Sequence, residues 1–157
     1  MITARRACAA ARTLIQKFEG LRLESYNDGG GVWTIGWGHT RDVRRGQTIT
    51  RADAERFFEE DLSAAEEAVA RLTAPVSLND HQFGALVSFV FNLGENRLRT
   101  STLLKCVQAG DFKSAQAEFM RWVYTTVRDA SGRTVKVAFQ GLVNRRKAEA
   151  DLWATPC

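Results

Sequence analysis

The chain has 157 residues, of which 45% are hydrophobic and 25% are charged, as is ordinary for one folded domain. These proportions exclude disordered and fibrous classes, and no apolar run reaches the roughly 18 residues that span a membrane. The formal net charge of +4 favours an anionic partner such as nucleic acid, a lipid surface or an acidic wall polymer. Because the basic residues form short clusters separated by acidic ones, we interpret most of them as a solvated surface.

The first predicted element is a helix from about Thr3 to Phe18, with Thr3 as its cap. The alanine-rich start faintly resembles a signal peptide, but Arg12 and Lys17 interrupt it, so we interpret it as part of the mature fold. If the protein acts outside the cytoplasm, another component must therefore release it.

A β-hairpin is predicted after this helix. Residues 21–26 alternate in polarity, residues 27–31 carry the glycines of a tight turn, and residues 32–37 form a second strand. Helical patterns follow, and their signals are a capping box at Thr50 and Asp53, a start at Ser77 or Asn79, stops at Gly94 and Gly110, and a cap at Asp111. A second hairpin is predicted around residues 130–132, and a last helix over 141–153.

The predicted fold class is α+β and mainly helical. We expect a single domain, 1–157, in which a small hairpin-bearing lobe covers about residues 14–60 and a helical lobe covers 1–13 and 75–157. The long helix 51–73 links the two lobes, and ligand sites prefer the cleft that such an arrangement leaves.

The cysteines Cys8, Cys106 and Cys157 have no spacing typical of a metal site, so we expect neither metal nor cofactor. Cys106 is interpreted as a small buried residue. Cys8 and Cys157 lie near the two ends of the chain, and sequence alone leaves open whether they form a disulfide. The odd number of cysteines is typical of a reducing compartment.

Two carboxylates in contrasting surroundings indicate a candidate catalytic pair. Glu19 ends an apolar helix, where desolvation favours a protonated acid, whereas Asp28 lies in a glycine-rich turn that favours the ionised form. Glycoside cleavage needs such a pair, and the Thr34 hydroxyl could help to hold a water molecule. The alternative is that Glu19 is only a helix-end acid and Asp28 only a turn residue.

The spacing of Glu19, Asp28 and Thr34 closely resembles the signature of phage-type lysozymes, glycoside hydrolase family 24. Similar segments recur along the whole chain, at residues 91–94, 101–104, 109–112, 121–122 and 141–146. The resemblance implies a lysozyme-like fold and a muramidase that cuts the β-1,4 bond between N-acetylmuramic acid and N-acetylglucosamine. It implies Glu19 as general acid, Asp28 and Thr34 as the groups that position water or stabilise the transition state, and inversion at the anomeric carbon.

The same resemblance implies roles for four more residues. Phe91 and Asn92 would face the cleft and bind sugar, His39 would tie the hairpin to the neighbouring helix, and Arg145 would pair with the catalytic glutamate. Core packing of Phe91 and a solvent-exposed Arg145 are the alternatives. The polar segment 124–140 is longer than in many members of the family, which puts the cleft rim and peptide specificity in doubt.

The resemblance further implies an endolysin whose partner is bacterial peptidoglycan. We expect a monomer that accumulates in the host cytoplasm, does not insert stably into membrane, and reaches the wall after a holin permeabilises the membrane. Nucleic acid is not an expected partner, because no nucleic-acid motif or single basic face is evident. The competing hypotheses are a catalytically inactive wall-binding module and a basic nucleic-acid-binding protein.

Overall fold

The computed structural model describes residues 4–157. Its helices are α1 (Ala9–Glu19), α2 (Arg51–Thr73), α3 (Asp80–Leu93), α4 (Glu95–Arg99), α5 (Thr102–Gln108), α6 (Phe112–Glu118) and α7 (Gln140–Ala154), with a short 3-10 helix at Phe119–Arg121. Its strands are β1 (Arg22–Asn27), β2 (Trp33–Gly36), β3 (Tyr124–Arg128) and β4 (Thr134–Ala138). The predicted α+β, mainly helical class is therefore confirmed.

The strands form two separate antiparallel hairpins. In the first hairpin, β1 and β2 pair with Tyr26 opposite Thr34, and the register shifts between Arg22 and Tyr26. In the second hairpin, β3 and β4 pair without a shift, with Thr126 opposite Lys136. Both hairpins lie where the sequence pattern predicts them.

The start of the first helix differs from the prediction. Thr3 lies outside the described residues, and the chain becomes helical only at Ala9. The backbone N–H of Ala7 donates to the buried carboxylate of Glu66 at 2.5 Å, and Arg6 pairs with Glu66 at 3.1 Å. These contacts with α2 stabilise the residues before α1 in a non-helical conformation, and the local sequence pattern does not reveal them.

Capping residues set the starts of the two longest helices. Thr50 and Asp53 form the predicted capping box of α2, and Asn79, rather than Ser77, caps α3 through Gln82. The helix α4 was not predicted, because five residues are too few to show a helical period.

The core surrounds α3. Residues 83–90 of this helix are all buried, and α1, α2 and α7 pack against it. Strand β2 of the first hairpin packs on α2, which fixes that hairpin to the core. Between residues 4 and 157, no helix is long and apolar enough to cross a membrane. The three cysteines are free, and Cys106 is half-buried rather than fully buried.

Candidate active site

The carboxyl group of Glu19 lies at the end of α1, where the chain turns into the first hairpin. Gly20 takes a positive φ of 70° and its N–H donates to the carbonyl of Gln16, so the helix ends there. The Glu19 side chain is 17% exposed, and its Oε2 accepts a hydrogen bond of 2.6 Å from Nη1 of Arg145 on α7. The acid is therefore largely shielded from water and held from one side by a cation.

Gly38 contacts the other oxygen of the same carboxyl group. A Cβ atom at position 38 would lie 2.5 Å from Oε1 of Glu19, closer than two unbonded atoms approach, and Gly38 has a φ of +76°. Both the space and the backbone conformation therefore require glycine. This glycine lets the turn after β2 close tightly over the Glu19 carboxyl.

A groove of about 300 Å³ begins at Gly38 and runs between α2 and α3. Phe91 lines this groove, and its ring also packs 5.7 Å from that of Phe58 in the core. The structure thus gives Phe91 both a groove-facing side and a packing contact. Because Gly38 both lines the groove and lies against the carboxyl group of Glu19, the groove opens next to that carboxyl group.

Asp28 and Thr34 lie on the first hairpin. The Oδ1 atom of Asp28 accepts hydrogen bonds from the backbone N–H groups of Gly30 at 2.8 Å and Val32 at 3.1 Å. Thr34 is buried and lies opposite Tyr26, two residues before Asp28. This register places Thr34 of β2 near the end of β1 from which Asp28 follows. The register shift lies within β1, the strand that leads to Asp28.

His39 fastens the first hairpin to α2. Its Nδ1 lies 2.8 Å from Oδ2 of Asp61, and its ring stacks on that of Phe57 with the centroids 4.3 Å apart. The backbone N–H and carbonyl of His39 also exchange two hydrogen bonds with Ile35. His39 is 5% exposed, so its imidazole is buried among these contacts.

Arg145 belongs to a buried network of charges. Besides Glu19, it donates to the backbone carbonyl of Ser88 at 3.2 Å, and its Nε lies 3.5 Å from Glu149. Glu149 is fully buried, accepts a hydrogen bond of 2.5 Å from the Ser88 hydroxyl and pairs with Arg146 at 2.7 Å. Burial raises the pKa of Glu149 and lowers that of Arg146, while the attraction between the two charges opposes both shifts.

The exposed Arg145 considered in the sequence analysis is excluded, since this residue is 4% exposed. Asn92 reaches the network from α3, because its Oδ1 accepts a hydrogen bond of 2.8 Å from Arg146. Its side chain is half-buried beside Phe91, so its amide nitrogen is the group that remains for other contacts.

Comparison with known proteins assigns this arrangement to a family. The family model described as phage lysozyme matches residues 16–149, which include the first hairpin, the groove and the Arg145 network. The chain belongs to the phage lysozyme family.

Curated relatives are endolysins of several phages. The endolysin of Acyrthosiphon pisum secondary endosymbiont phage 1 is 41% identical over 140 residues, covering 89% of this chain and 92% of the relative. A SAR-endolysin of bacteriophage PS119 is 39% identical, covering 86% and 77%. The endolysin of Bacillus phage B103 is 38% identical and matches 93% of this chain, which spans only 53% of that relative.

Solved structures show the same fold. The muramidase domain of SpmX from Asticaccaulis excentricus has a TM-score of 0.85 and 35% identity, covering 97% of this chain and all of that domain. The endolysin from Escherichia coli O157:H7 phage FAHEc1 has a TM-score of 0.82 and 32% identity, covering 98% and 96%. The expected lysozyme-like fold is therefore confirmed.

Within this phage lysozyme fold, sequence reasoning missed two features around Glu19. One is Gly38, whose contact with the carboxyl group depends on how the hairpin folds back. The other is the partnership of Arg146 and Glu149 with Arg145. The spacing of Arg145, Arg146 and Glu149 on one helix could have indicated ion pairs, since residues three and four apart are neighbours. The face of α7 that carries these residues is buried against α3, and the local sequence does not indicate this burial.

Proposed function

We propose that this member of the phage lysozyme family is an endolysin muramidase. Its substrate would be the β-1,4 bond between N-acetylmuramic acid and N-acetylglucosamine in bacterial peptidoglycan. The observation that carries the proposal is the position of Glu19. Its shielded carboxyl group lies between Arg145 and Gly38, the glycine at which the groove begins. A glycosidase acid needs such a position, because it must deliver a proton to a bond that lies in the groove.

Glu19 would act as the general acid. Arg145 holds Oε2, so the proton that is transferred would sit on Oε1, the oxygen that faces Gly38 at the mouth of the groove. The hydrogen bond to Arg145 fixes the orientation of the carboxyl group, so this group does not have to be ordered during the reaction.

Asp28 and Thr34 would position the attacking water. Backbone N–H groups hold Oδ1 of Asp28, and among residues 4–157 no hydrogen bond to its Oδ2 is present. That oxygen can accept a proton from a water molecule, while the Thr34 hydroxyl offers a second contact. Water attack from the face opposite the leaving oxygen inverts the anomeric carbon. Phe91 and Asn92 would contact the sugar rings.

The proposal extends to the role in the cell. The protein would act as a monomer on the peptidoglycan of its host and cause lysis from within. Release from the cytoplasm through a holin stays a prediction, because relatives named endolysin and SAR-endolysin both match the chain.

The test is cleavage of purified peptidoglycan by the variant Glu19→Gln. Its rate of reducing-end release should fall about 10²- to 10⁴-fold, the usual contribution of a general acid. Glu24→Gln is the matched control, since Glu24 is an exposed acid on the same hairpin with no proposed role, and it should cleave like the wild type. Full activity of Glu19→Gln would contradict the assignment.

Mass spectrometry of the products identifies the reaction. Reducing N-acetylmuramic acid ends support a muramidase, whereas anhydro ends would show a lytic transglycosylase. Proton NMR of the first product anomer tests inversion. Binding to the wall without any new ends would instead favour an inactive binding module.

A further inference from the structure

Glu149 is a buried carboxylate beside the candidate active site. Its side chain is 0% exposed, so it cannot touch a substrate that lies in the groove. It follows Arg146 by three residues and Arg145 by four on α7, which places the three side chains on one face of the helix. Because a charge in such a position is stable only when partners compensate it, its contacts indicate what it does.

Within residues 4–157, the polar contacts of this carboxylate are all with groups that can donate. The hydroxyl of Ser88 on α3 donates to Oε2 at 2.5 Å, and Nη2 of Arg146 donates to the same oxygen at 3.1 Å. Nε of Arg146 lies 2.7 Å from Oε1, and Nε of Arg145 lies 3.5 Å from Oε2. Since guanidinium groups donate and never accept, these partners stabilise the ionised carboxylate.

The guanidinium group of Arg145 is held at each of its three nitrogen atoms. Nη1 donates to Oε2 of Glu19 at 2.6 Å, and Nη2 donates to the carbonyl of Ser88 at 3.2 Å. The third atom, Nε, faces Glu149 in an ion pair. A planar group that is held at three atoms keeps one orientation. Without the partner of Nε the group can tilt, and the Glu19 carboxyl then loses its fixed support.

The charges of this network balance only when Glu149 is counted. Arg145 and Arg146 are consecutive on α7, and they are 4% and 0% exposed. Arg145 pairs with both Glu19 and Glu149, and Arg146 pairs with Glu149, so two cations meet two anions. If the charge of Glu149 is removed, two buried cations lie next to Glu19 alone.

The other elements around Glu19 bring no acid into contact with these arginines. Among the described residues, α3 contacts them through the carbonyl of Ser88 and the amide of Asn92, which are uncharged. The first hairpin meets the Glu19 carboxyl through Gly38, and Lys17 on α1 is exposed. The second negative charge of the network therefore comes from α7 itself.

We infer that Glu149 is a positioning residue for the proposed cleavage. It holds the guanidinium group of Arg145 in the orientation that supports Glu19, and its negative charge balances the second arginine. Glu19 thereby keeps its proton for the leaving oxygen. The inference rests on the proposed function, since it takes Glu19 as the general acid, and it gives a task in that reaction to a side chain that never meets the substrate.

The test compares Glu149→Gln with the conservative variant Glu149→Asp. A general acid must be protonated, so the cleavage rate has a limb that descends as pH rises. Glu149→Gln removes a negative charge and makes ionisation of Glu19 easier, so this limb should move to lower pH by about one unit. The rate on purified peptidoglycan at neutral pH should fall about 10- to 100-fold. Glu149→Asp keeps the charge, so the limb should stay in place and the rate should fall less than about tenfold.

Carbon NMR of protein labelled at the glutamate carboxyl groups gives a measurement that needs no cleavage. The titration midpoint of the Glu19 carboxyl should be about one pH unit lower in Glu149→Gln than in the wild type. In the wild type, the Glu149 carboxyl carbon should have the chemical shift of an ionised group at neutral pH. Wild-type protein that cleaves no peptidoglycan would refute the proposed function, whereas these titrations would still decide whether Glu149 acts on Glu19.

Glu66→Gln is the matched control. Glu66 on α2 is also a buried acid, 3% exposed, and it pairs with Arg6 at 3.1 Å. Both glutamine variants should lower the melting temperature, because each leaves a cation without its partner. Only Glu149→Gln should shift the descending limb and the titration of Glu19.

The inference is overturned if Glu149→Gln melts early but leaves the limb and the Glu19 titration in place, because Glu149 would then only hold α7 on α3. It is also overturned if Glu149→Asp shifts both as far as Glu149→Gln does, or if Glu149 is protonated in the wild type at neutral pH. The last two measurements decide the inference even if Glu149→Gln does not fold.

Discussion

The two hairpins of this protein have the same antiparallel pairing but opposite relations to the core. In the first, Ile35 is fully buried, Trp37 is 5% exposed, and His39 reaches Asp61 on α2. In the second, every residue of β4 is exposed. One hairpin is thus part of the packed structure, whereas the other is attached at its base only.

This difference shows which of the two hairpins can hold its side chains in fixed positions. An isolated hairpin is marginally stable in water, so its order must come from packing. The first hairpin obtains that order from α2, and it carries Asp28 and Thr34. The second depends on its own ladder and on a turn in which Oδ1 of Asp129 accepts from the N–H groups of Ser131 and Arg133. An element that the core holds only at its base positions side chains less firmly than one that is packed on a helix.

Of the changes that compare the two hairpins, Gly38→Ala in the first is expected to have the largest effect. The new Cβ collides with Oε1 of Glu19 and requires a positive φ, so the carboxyl group must move. We expect the peptidoglycan cleavage rate to fall about 10²-fold, the usual result of an ångström-scale misplacement. Initial rates on purified peptidoglycan measure it.

Gly132→Ala is the matched control in the second hairpin. Gly132 also has a positive φ, of +81°, but a Cβ there would meet nothing within 4 Å. This variant should lose about 1 kcal/mol of stability through backbone strain and keep its cleavage rate. Equal loss of activity in both variants would show that the two hairpins do not differ as described.

A smaller effect is expected from His39→Phe. The phenyl ring can keep the stack on Phe57, but Asp61 loses its partner in a partly buried position. The free energy of unfolding in urea should fall by about 1–2 kcal/mol. His81→Phe, at a half-buried histidine whose Nδ1 lies 2.9 Å from the carbonyl of Thr155, should lower it less, by under about 1 kcal/mol. A negligible effect of His39→Phe would mean that other contacts fix the first hairpin.

Shortening the second hairpin should change stability little. Tyr124 and Ala138 are paired, so an Asn-Gly turn can join them and replace residues 125–137. The free energy of unfolding should stay within about 1 kcal/mol of the wild type, because the removed residues are largely exposed. Urea denaturation measures this, and a loss above about 2 kcal/mol would show that the hairpin supports the core.

The smallest effect is local and depends on pH. Hydrogen bonds from Ser131 and the Arg133 backbone hold the pKa of Asp129 below its ordinary 3.8. A lowered pKa means that the turn is stabilised above the ordinary value and loses this stabilisation as pH falls through the folded value. Amide NMR shifts of Ser131 and Arg133 should therefore move below pH 3.8, while Asp129→Asn removes the transition. A midpoint above 3.8 would contradict the hydrogen-bonded turn.

Features with a local cause were predictable from the sequence. The capping box of Thr50 and Asp53 marks the start of α2, because its donors and acceptors lie within four residues. Both hairpins follow from alternating polarity around turn residues, and the positions of Glu19, Asp28 and Thr34 follow from a family spacing. The roles of these three residues stay predictions until the variants are measured.

Features that depend on distant contacts were not predictable. The delayed start of α1 results from Glu66, more than fifty residues away, which binds the backbone of Ala7. Burial of Glu149 results from the way α7 lies across α3. The sequence contains the charges of both sites, but it does not show which helix faces meet.

The hydrogen bond between Arg145 and Glu19 joins residues that are 126 positions apart. During synthesis the acid emerges from the ribosome early, and its cation follows only after every other helix and both hairpins have been translated. A nascent chain that stops before α7 therefore lacks the contact between Arg145 and Glu19. For the proposed endolysin, cleavage of peptidoglycan would therefore begin only with the completed chain.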